Sequence, residues 1–523
     1  MLSAASFLLL YYFTSTAWLI PVFFFLLTMR LISEGPKNNR VPRWLYIPVA
    51  VLDLYAGWRF VHILSYSSRI RAVASAIHLP VGLIPGAVAA GLALLAMPFM
   101  VSSLHITLSN IRHLPAYIRG IGESFEWKQA GLLAYPAFAA LCIIVIAMKQ
   151  DYFVDEVFTY GLSNSSYAEY AIHIEEEKQY TPAEKVFLDY MTVSHGHRFD
   201  YKNVWIKQAL DVHPPLYYAL VHTVCSLFPG TYSRWMAGSV NIVFALLTLF
   251  LMRRMIRMLL QDGRAVTLAS LLFILSPGVL NTVACLRMYA MASFWALALV
   301  QIITKDLLRG SEKTTLVKIF WVAVAGALTH YYCIVFTVLL CAGYTLIRAI
   351  MRQWKPVLGM CVTGGCAALT AYTVFPAMLY HMFGGYRGTE SMDNLRAPFG
   401  ELLIRIRQYV RLLCSQILGG SVLATVILLI LIGYVLYCLF RKRETLRSFR
   451  ALALILCGIT AFLFFLFVAR SAVYITDRYV MLVYPEILLT VSAVLFLAEK
   501  ELLHLPHGGG MRCLWDYWQP SLS

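Results

Sequence analysis

Two groups of residues in this chain have the composition of a reactive site. The first is an acidic pair, Asp155-Glu156, a short way past the apolar run 132–148. The second is Asp211 followed by His213-Pro214-Pro215-Leu216-Tyr217-Tyr218. Carboxylates held at the rim of an apolar segment are costly, so they read as functional by default. Together the two groups point to chemistry at a membrane face on a lipid-linked substrate. Three more polar groups stand at the ends of later apolar runs: Arg287-Met288-Tyr289, Thr329-His330-Tyr331-Tyr332 and Asp477-Arg478-Tyr479, the last just before Tyr484-Pro485-Glu486. Each has a plain alternative. Asp155 and Glu156 could be ordinary loop acids, Arg287 could snorkel from a span end, and Arg478 could pair with its neighbour Asp477. His213 could simply start a helix, and His330 could close a tight turn.

The elements that must position these groups are membrane spans. Of 523 residues, 60% are hydrophobic and only 13% charged, against roughly 25% charged in a soluble domain. The apolar runs are long and do not alternate with polar residues, which favours helices over a membrane β-barrel. The expected class is all-α, a polytopic transmembrane protein of about 13 spans with outward-facing helices beside the membrane. The spans are 4–29, 45–63, 80–101, 132–148, 233–252, 265–280, 288–304, 316–329, 333–350, 357–380, 419–440, 452–469 and 480–498. Residues 1–29 lack a basic leader and a small-residue cleavage site, so they read as a retained helix. The net charge of +16 reflects orientation in the membrane rather than nucleic-acid binding, because Lys and Arg cluster in short loops. The 11 Cys fit neither a disulfide framework nor a metal knuckle.

Arg253, Arg254 and Arg257 form one basic cluster; Lys305, Arg309, Lys313 and Lys318 form another. Arg348, Arg352 and Lys355 follow, then Arg441, Lys442, Arg443, Arg447 and Arg450. All face the cytoplasm in one threading, which sends 149–232, 281–287, 330–332, 381–418 and 470–479 outward. That threading requires 213–228 to lie at the outer interface as a helix opened by its prolines. Residues 402–413, with Arg405, Arg407 and Arg411, read as a second, basic amphipathic helix that anchors the chain or meets anionic lipid. Residues 173–178 read as a solvated helix. Asn164-Ser165-Ser166 matches a glycosylation acceptor and is taken as a chance match.

The order Asp155-Glu156, Asp211…His213-Pro214-Pro215-Leu216-Tyr217-Tyr218, Arg287-x-Tyr289, His330-Tyr331-Tyr332 and Arg478-Tyr479…Pro485 resembles the GT-C fold membrane glycosyltransferases. The likeness is to the family 39-like branch, the bacterial relatives of protein O-mannosyltransferases and of the lipid A aminoarabinose transferase. It covers about residues 132–498. The resemblance divides the chain into an added N-terminal membrane module, 1–128, and a GT-C-like catalytic core, 129–500, with outer loops 149–232 and 381–418. A cytoplasmic tail, 501–523, follows. It implies a multi-pass cell-membrane enzyme with its site on the extracytoplasmic face. It also implies a sugar donor on a polyprenyl phosphate and an acceptor hydroxyl on a glycan, a lipid or a protein.

On that reading a hydroxyl needs a base, and a partly dry carboxylate can supply one. Asp155 is the candidate. Glu156, the second catalytic candidate, would turn away, since helical neighbours diverge by about 100°, and would orient acceptor or partner side chains. Arg287 and Arg478 are expected to bind the departing phosphate by bidentate hydrogen bonding, with Tyr289 and His330 as further donors. Asp211, His213 and Tyr217 are expected to line the sugar or acceptor cavity. Some enzymes of this fold use a divalent ion, so Mg or Mn held by Asp155, Asp211 and His213 is a further expectation. The main alternative is a transporter or flippase of lipid-linked saccharide, which should carry midplane charges and internal repeats; an assembly subunit with a decayed site is a third.

Overall fold

The computed structural model describes residues 127–166, 183–310, 313–420, 422–441 and 448–503. Every regular element among them is a helix. The expected spans 4–29, 45–63 and 80–101, the helix at 173–178 and the tail beyond 503 lie outside the described residues, as does all but the end of the module 1–128.

An apolar helix α1, Trp127–Ala147, leads into a group of short helices: α2 (Val154–Asn164), α3 (Ala183–Met191), α4 (Tyr201–Leu210) and α5 (Leu216–Ser226). The long helices follow. They are α6 (Arg234–Leu260), α7 (Gly263–Ile274), α8 (Pro277–Ala284), α9 (Tyr289–Arg309), α10 (Lys313–Ala327), α11 (Tyr331–Ile350) and α12 (Trp354–Val374). The last are α13 (Tyr386–Arg396), α14 (Phe399–Leu418), α15 (Val422–Arg441), α16 (Phe449–Ser471) and α17 (Tyr484–Leu503).

Among the described residues, six segments are long and apolar enough to cross a membrane: α6, α9, α11, α12, α16 and Met481–Ala498. The pair α7 and α8 makes a seventh if counted as one span, but it is bent by 51°. The expected single helix 265–280 is therefore broken, because Pro277 cannot donate to the preceding turn and starts a new helix at its first position. Leu133–Ala147, Thr314–Ala327 and Thr425–Val435 are apolar but shorter. The expected span 357–380 stops at Val374, ahead of Pro376. Of the expected interfacial helix 213–228, residues Leu216–Ser226 are helical. At 1.5 Å per residue it is about 16 Å long, too short to cross a bilayer.

The local chemistry sets the turns. Ser233 and Asp262 accept the Trp235 and Arg264 N–H groups at the starts of α6 and α7. Between them Gln261 takes a left-handed conformation (φ 53°), so α6 and α7 reverse within a few residues.

Side chains of α6, α7, α9, α11, α16 and α17 share one apolar core. A second core joins α2, α4 and α5 to one end of α6 and to Leu286, Met288 and Met291. Polar contacts gather at this end of the bundle. Arg234 donates to the Ala147 and Lys149 carbonyls, and Ser293 Oγ donates to the Met481 carbonyl at 3.0 Å. Arg405 was expected on the basic face of an amphipathic helix that anchors the chain or meets anionic lipid. Instead it is buried and caps the last turn of α16, donating to the carbonyls of Ala469 at 2.7 Å and of Ala472. Arg407 and Arg411 remain exposed.

Candidate active site

The site lies where the two cores meet, at the start of α2. Helix α2 opens at Val154, and Glu156 bends back to accept the Phe153 N–H at 2.9 Å. Its other oxygen accepts the Leu286 N–H at 2.8 Å and meets Lys149 Nζ at 2.9 Å. Glu156 is 2% exposed, so its carboxylate is used up in fastening α2 to the segment before Arg287. The geometry gives this catalytic candidate a positioning role. Asp155 points the other way, as the helical angle requires, and pairs with Arg478. The guanidinium of Arg478 lies over the rings of Phe153, at 5.8 Å, and Tyr479, at 5.4 Å. The alternative pairing of Arg478 with Asp477 is not what the fold makes.

Arg287 is buried, not snorkelling. One terminal nitrogen donates to the Asp155 carbonyl oxygen at 2.7 Å, and the other donates to His213 Nε2 at 3.0 Å. His213 Nδ1 in turn lies 2.8 Å from Asp211 Oδ2. These contacts select one tautomer: Nδ1 carries the proton and donates to Asp211, and Nε2 accepts from Arg287. Burial, and then the Arg287 charge, hold the His213 pKa below its ordinary value, so the ring is neutral at neutral pH. Asp211, His213 and Arg287 thus form one chain of hydrogen bonds that aims the guanidinium at the start of α2.

His330 caps α11: its Nδ1 accepts the Tyr332 N–H at 3.0 Å. Burial, with His213 and Arg287 nearby, pushes its pKa down to about 3. A neutral ring with Nδ1 accepting has its proton on Nε2. Aromatic neighbours link the two arginines: ring centroids of His213 and His330 are 6.4 Å apart, His330 and Tyr289 5.7 Å, His330 and Tyr332 5.2 Å, and Tyr332 and Tyr479 5.8 Å. His330 therefore closes a turn and also faces the arginine site.

Tyr217, expected in the cavity wall, is fully buried. Its hydroxyl donates to Asn241 Oδ1 at 2.9 Å, and Asn241 Nδ2 donates to the carbonyls of Cys285, at 2.7 Å, and Val283. It holds the segment before Arg287 from below. The next residue, Tyr218, lies nearer the site: its ring is 6.3 Å from His213, and its buried hydroxyl has no partner among the described residues. Among the described residues, the buried Nε–H groups of Arg287 and Arg478 also have no acceptor.

The expected metal set does not assemble. Among the described residues no three His, Cys, Asp or Glu side chains surround one point. Both His213 nitrogens are engaged, and Arg478 and Arg287 supply the positive charge beside Asp155 and His213.

Sequence reasoning missed Lys149, Asn241 and Arg387. Asn241 was visible as a polar residue inside an apolar run, and Lys149 as the cation ending one. Arg387 lies between the Tyr386 and Tyr474 rings, at 4.8 and 5.0 Å, and bonds Glu390 at 2.8 Å. Its charge adds to the downward shift of the His213 pKa, after burial and Arg287; only the Tyr-Arg dipeptide hinted at it. Asn164 of the acceptor pattern is 1% exposed, and its amide donates to the Met191 carbonyl, so it is shielded from modification.

No protein-family model matches the chain, and no curated protein or solved structure matches it.

Proposed function

We propose that this chain is a membrane glycosyltransferase of the GT-C type, with about 13 spans. It moves a sugar from a polyprenyl-phosphate donor to an acceptor hydroxyl on the extracytoplasmic face, with inversion. One observation carries the reading. Two buried or half-buried arginines converge on the Asp155 residue while each keeps an unused Nε–H. Donors without acceptors are expensive in a dry site, and an oxyanion that reaches both would satisfy them.

The chemistry follows from these contacts. The donor phosphate competes for Arg478, and Asp155 is released from its ion pair. The freed carboxylate takes the proton of the acceptor hydroxyl, and the hydroxyl oxygen forms the new bond to the anomeric carbon. The bond from that carbon to the phosphate oxygen breaks, and its electron pair leaves with the polyprenyl phosphate. Arg287, Arg478 and the Nε2–H of His330 neutralise the departing charge. Tyr289 packs beneath His330. Asp211 and His213 hold Arg287 in aim, while Glu156 and Tyr217 fix the backbone on which Asp155 and Arg287 stand. The residues present supply the counter-charge themselves, and no step is assigned to an ion.

The outward assignment draws on charge. Arg253, Arg254, Arg257, Lys305, Arg309, Arg348 and Arg352 sit at the opposite ends of α6, α9 and α11 from Arg234, Tyr289 and Tyr331. A basic end marks the cytoplasmic side.

Mass spectrometry of envelope glycans from cells lacking the protein tests the reading. One sugar branch should vanish, return with the wild-type gene and stay absent with Asp155→Asn. Unchanged glycans in the deletion would refute it.

A further inference from the structure

The two basic clusters nearest the first core helices read in sequence as separate orientation signals on separate loops. In the folded chain they share one groove. Arg253, Arg254 and Arg257 from α6 and Lys305 and Arg309 from α9 line a space of about 730 Å³ with Tyr135. Orientation in the membrane requires only that positive charges lie on one side. It does not require five cations to face each other across one opening, where they repel.

The groove is built rather than incidental. Arg253 is 8% exposed. Its guanidinium donates to Ser270 Oγ at 2.7 Å and lies 5.5 Å from the centre of the Tyr135 ring. No carboxylate occurs among the described residues that line the space. The nearest buried acid on α9, Asp306, is committed elsewhere: it pairs with Arg348 at 2.7 Å and accepts from Tyr344. Asp262, next to lining residue Gln261, is held by Arg264. Among the described residues, the positive charge of the groove is therefore not balanced locally.

Position narrows the ligand. The cations occupy the last turns of two helices that are each long enough to cross a bilayer, which is headgroup height. The groove also includes Phe250 and Met258, and Phe250 is 47% exposed on the apolar part of α6. A ligand with a phosphate at one end and a chain beside Phe250 fits both halves. We infer that this groove binds the phosphate headgroup of an anionic phospholipid, at the end of the bundle opposite the arginine pair of the candidate active site. The Asp155 site sits at the other end of α9, about 30 Å away by helix rise, so the inference does not depend on the proposed reaction.

Native mass spectrometry of the full purified chain, with added phosphatidylglycerol, phosphatidylcholine or inorganic phosphate, tests it. Phosphatidylglycerol adducts should form at least 10-fold more readily than phosphatidylcholine adducts. The exposed triple variant Arg254→Gln, Arg257→Gln, Arg309→Gln should lose that preference while keeping the wild-type unfolding midpoint, since it leaves Arg253 and its partners intact. Millimolar inorganic phosphate should not displace the lipid. Equal adducts with both lipids, or an unchanged preference in the variant, would overturn the inference. Displacement by phosphate would overturn the lipid assignment in favour of a soluble anion. Should the triple variant fail to fold, Arg254→Gln with Arg309→Gln gives the same reading with two charges fewer.

Discussion

His330 gives the sharpest quantitative test. Its imidazole is buried, caps α11 through Nδ1, and has its pKa pushed down to about 3 from an ordinary 6.5 by burial first and by His213 and Arg287 second. A histidine whose folded pKa is depressed contributes stability above its unfolded value. That stability is lost as pH falls from 6.5 toward 3, because only the unfolded chain takes up the proton. At pH 4.5 the ring is two pH units below its unfolded value and still neutral when folded. At about 1.4 kcal/mol per unit, the loss is roughly 3 kcal/mol. His330→Asn keeps a side-chain oxygen able to accept the Tyr332 N–H but cannot titrate. Unfolding of wild type and variant in mixed micelles, measured side by side at pH 7.5, 6 and 4.5, isolates the term. His213 titrates in both proteins and largely cancels. The wild type should lose about 3 kcal/mol more than the variant between pH 7.5 and 4.5. Parallel pH curves would refute the claim that a neutral His330 is held next to Arg287.

Other outcomes follow from the same geometry. Asp211→Asn removes a charge-assisted hydrogen bond worth about 1.5–3 kcal/mol and frees His213 to turn, so donor use should fall about 10- to 150-fold; steady-state kinetics would show it in the donor KM before the acceptor KM. Glu156→Gln breaks the ion pair of the buried Glu156 with Lys149 and should cost about 3 kcal/mol, read as a lower unfolding midpoint. Gly161→Ala would drive a Cβ into the Tyr190 ring; it should destabilise by at least about 1–3 kcal/mol, read as a lower unfolding midpoint.

Much of this was legible in the chain, and the reasons differ residue by residue. The helical class follows from apolar runs that need internal hydrogen bonds wherever lipid surrounds them. The five motifs meet in space because each stands at or beside a helix end on the same side of the bundle. The divergence of Asp155 and Glu156 follows from helix geometry. What could not be read was the partner of each group. Glu156 is fixed by the Leu286 N–H and Lys149, and neither contact leaves a trace in local sequence. Tyr217 and Tyr218 are adjacent and alike, yet one bonds Asn241 and the other lies near His213. Arg405 sits on an amphipathic helix like its neighbours but reaches the end of α16. Long-range pairing, not residue type, separates the groups that face the candidate site from those that brace it.

The central claim is that Asp155 serves as a base once a phosphate has drawn Arg478 away. The most direct measurement is release of polyprenyl phosphate from a labelled polyprenyl-phosphate sugar by the full chain in proteoliposomes with added acceptor. Wild type should release it; Asp155→Asn should bind the donor at least as tightly, with Arg478 no longer engaged by a carboxylate, and release none. Release by Asp155→Asn at near the wild-type rate would contradict the account.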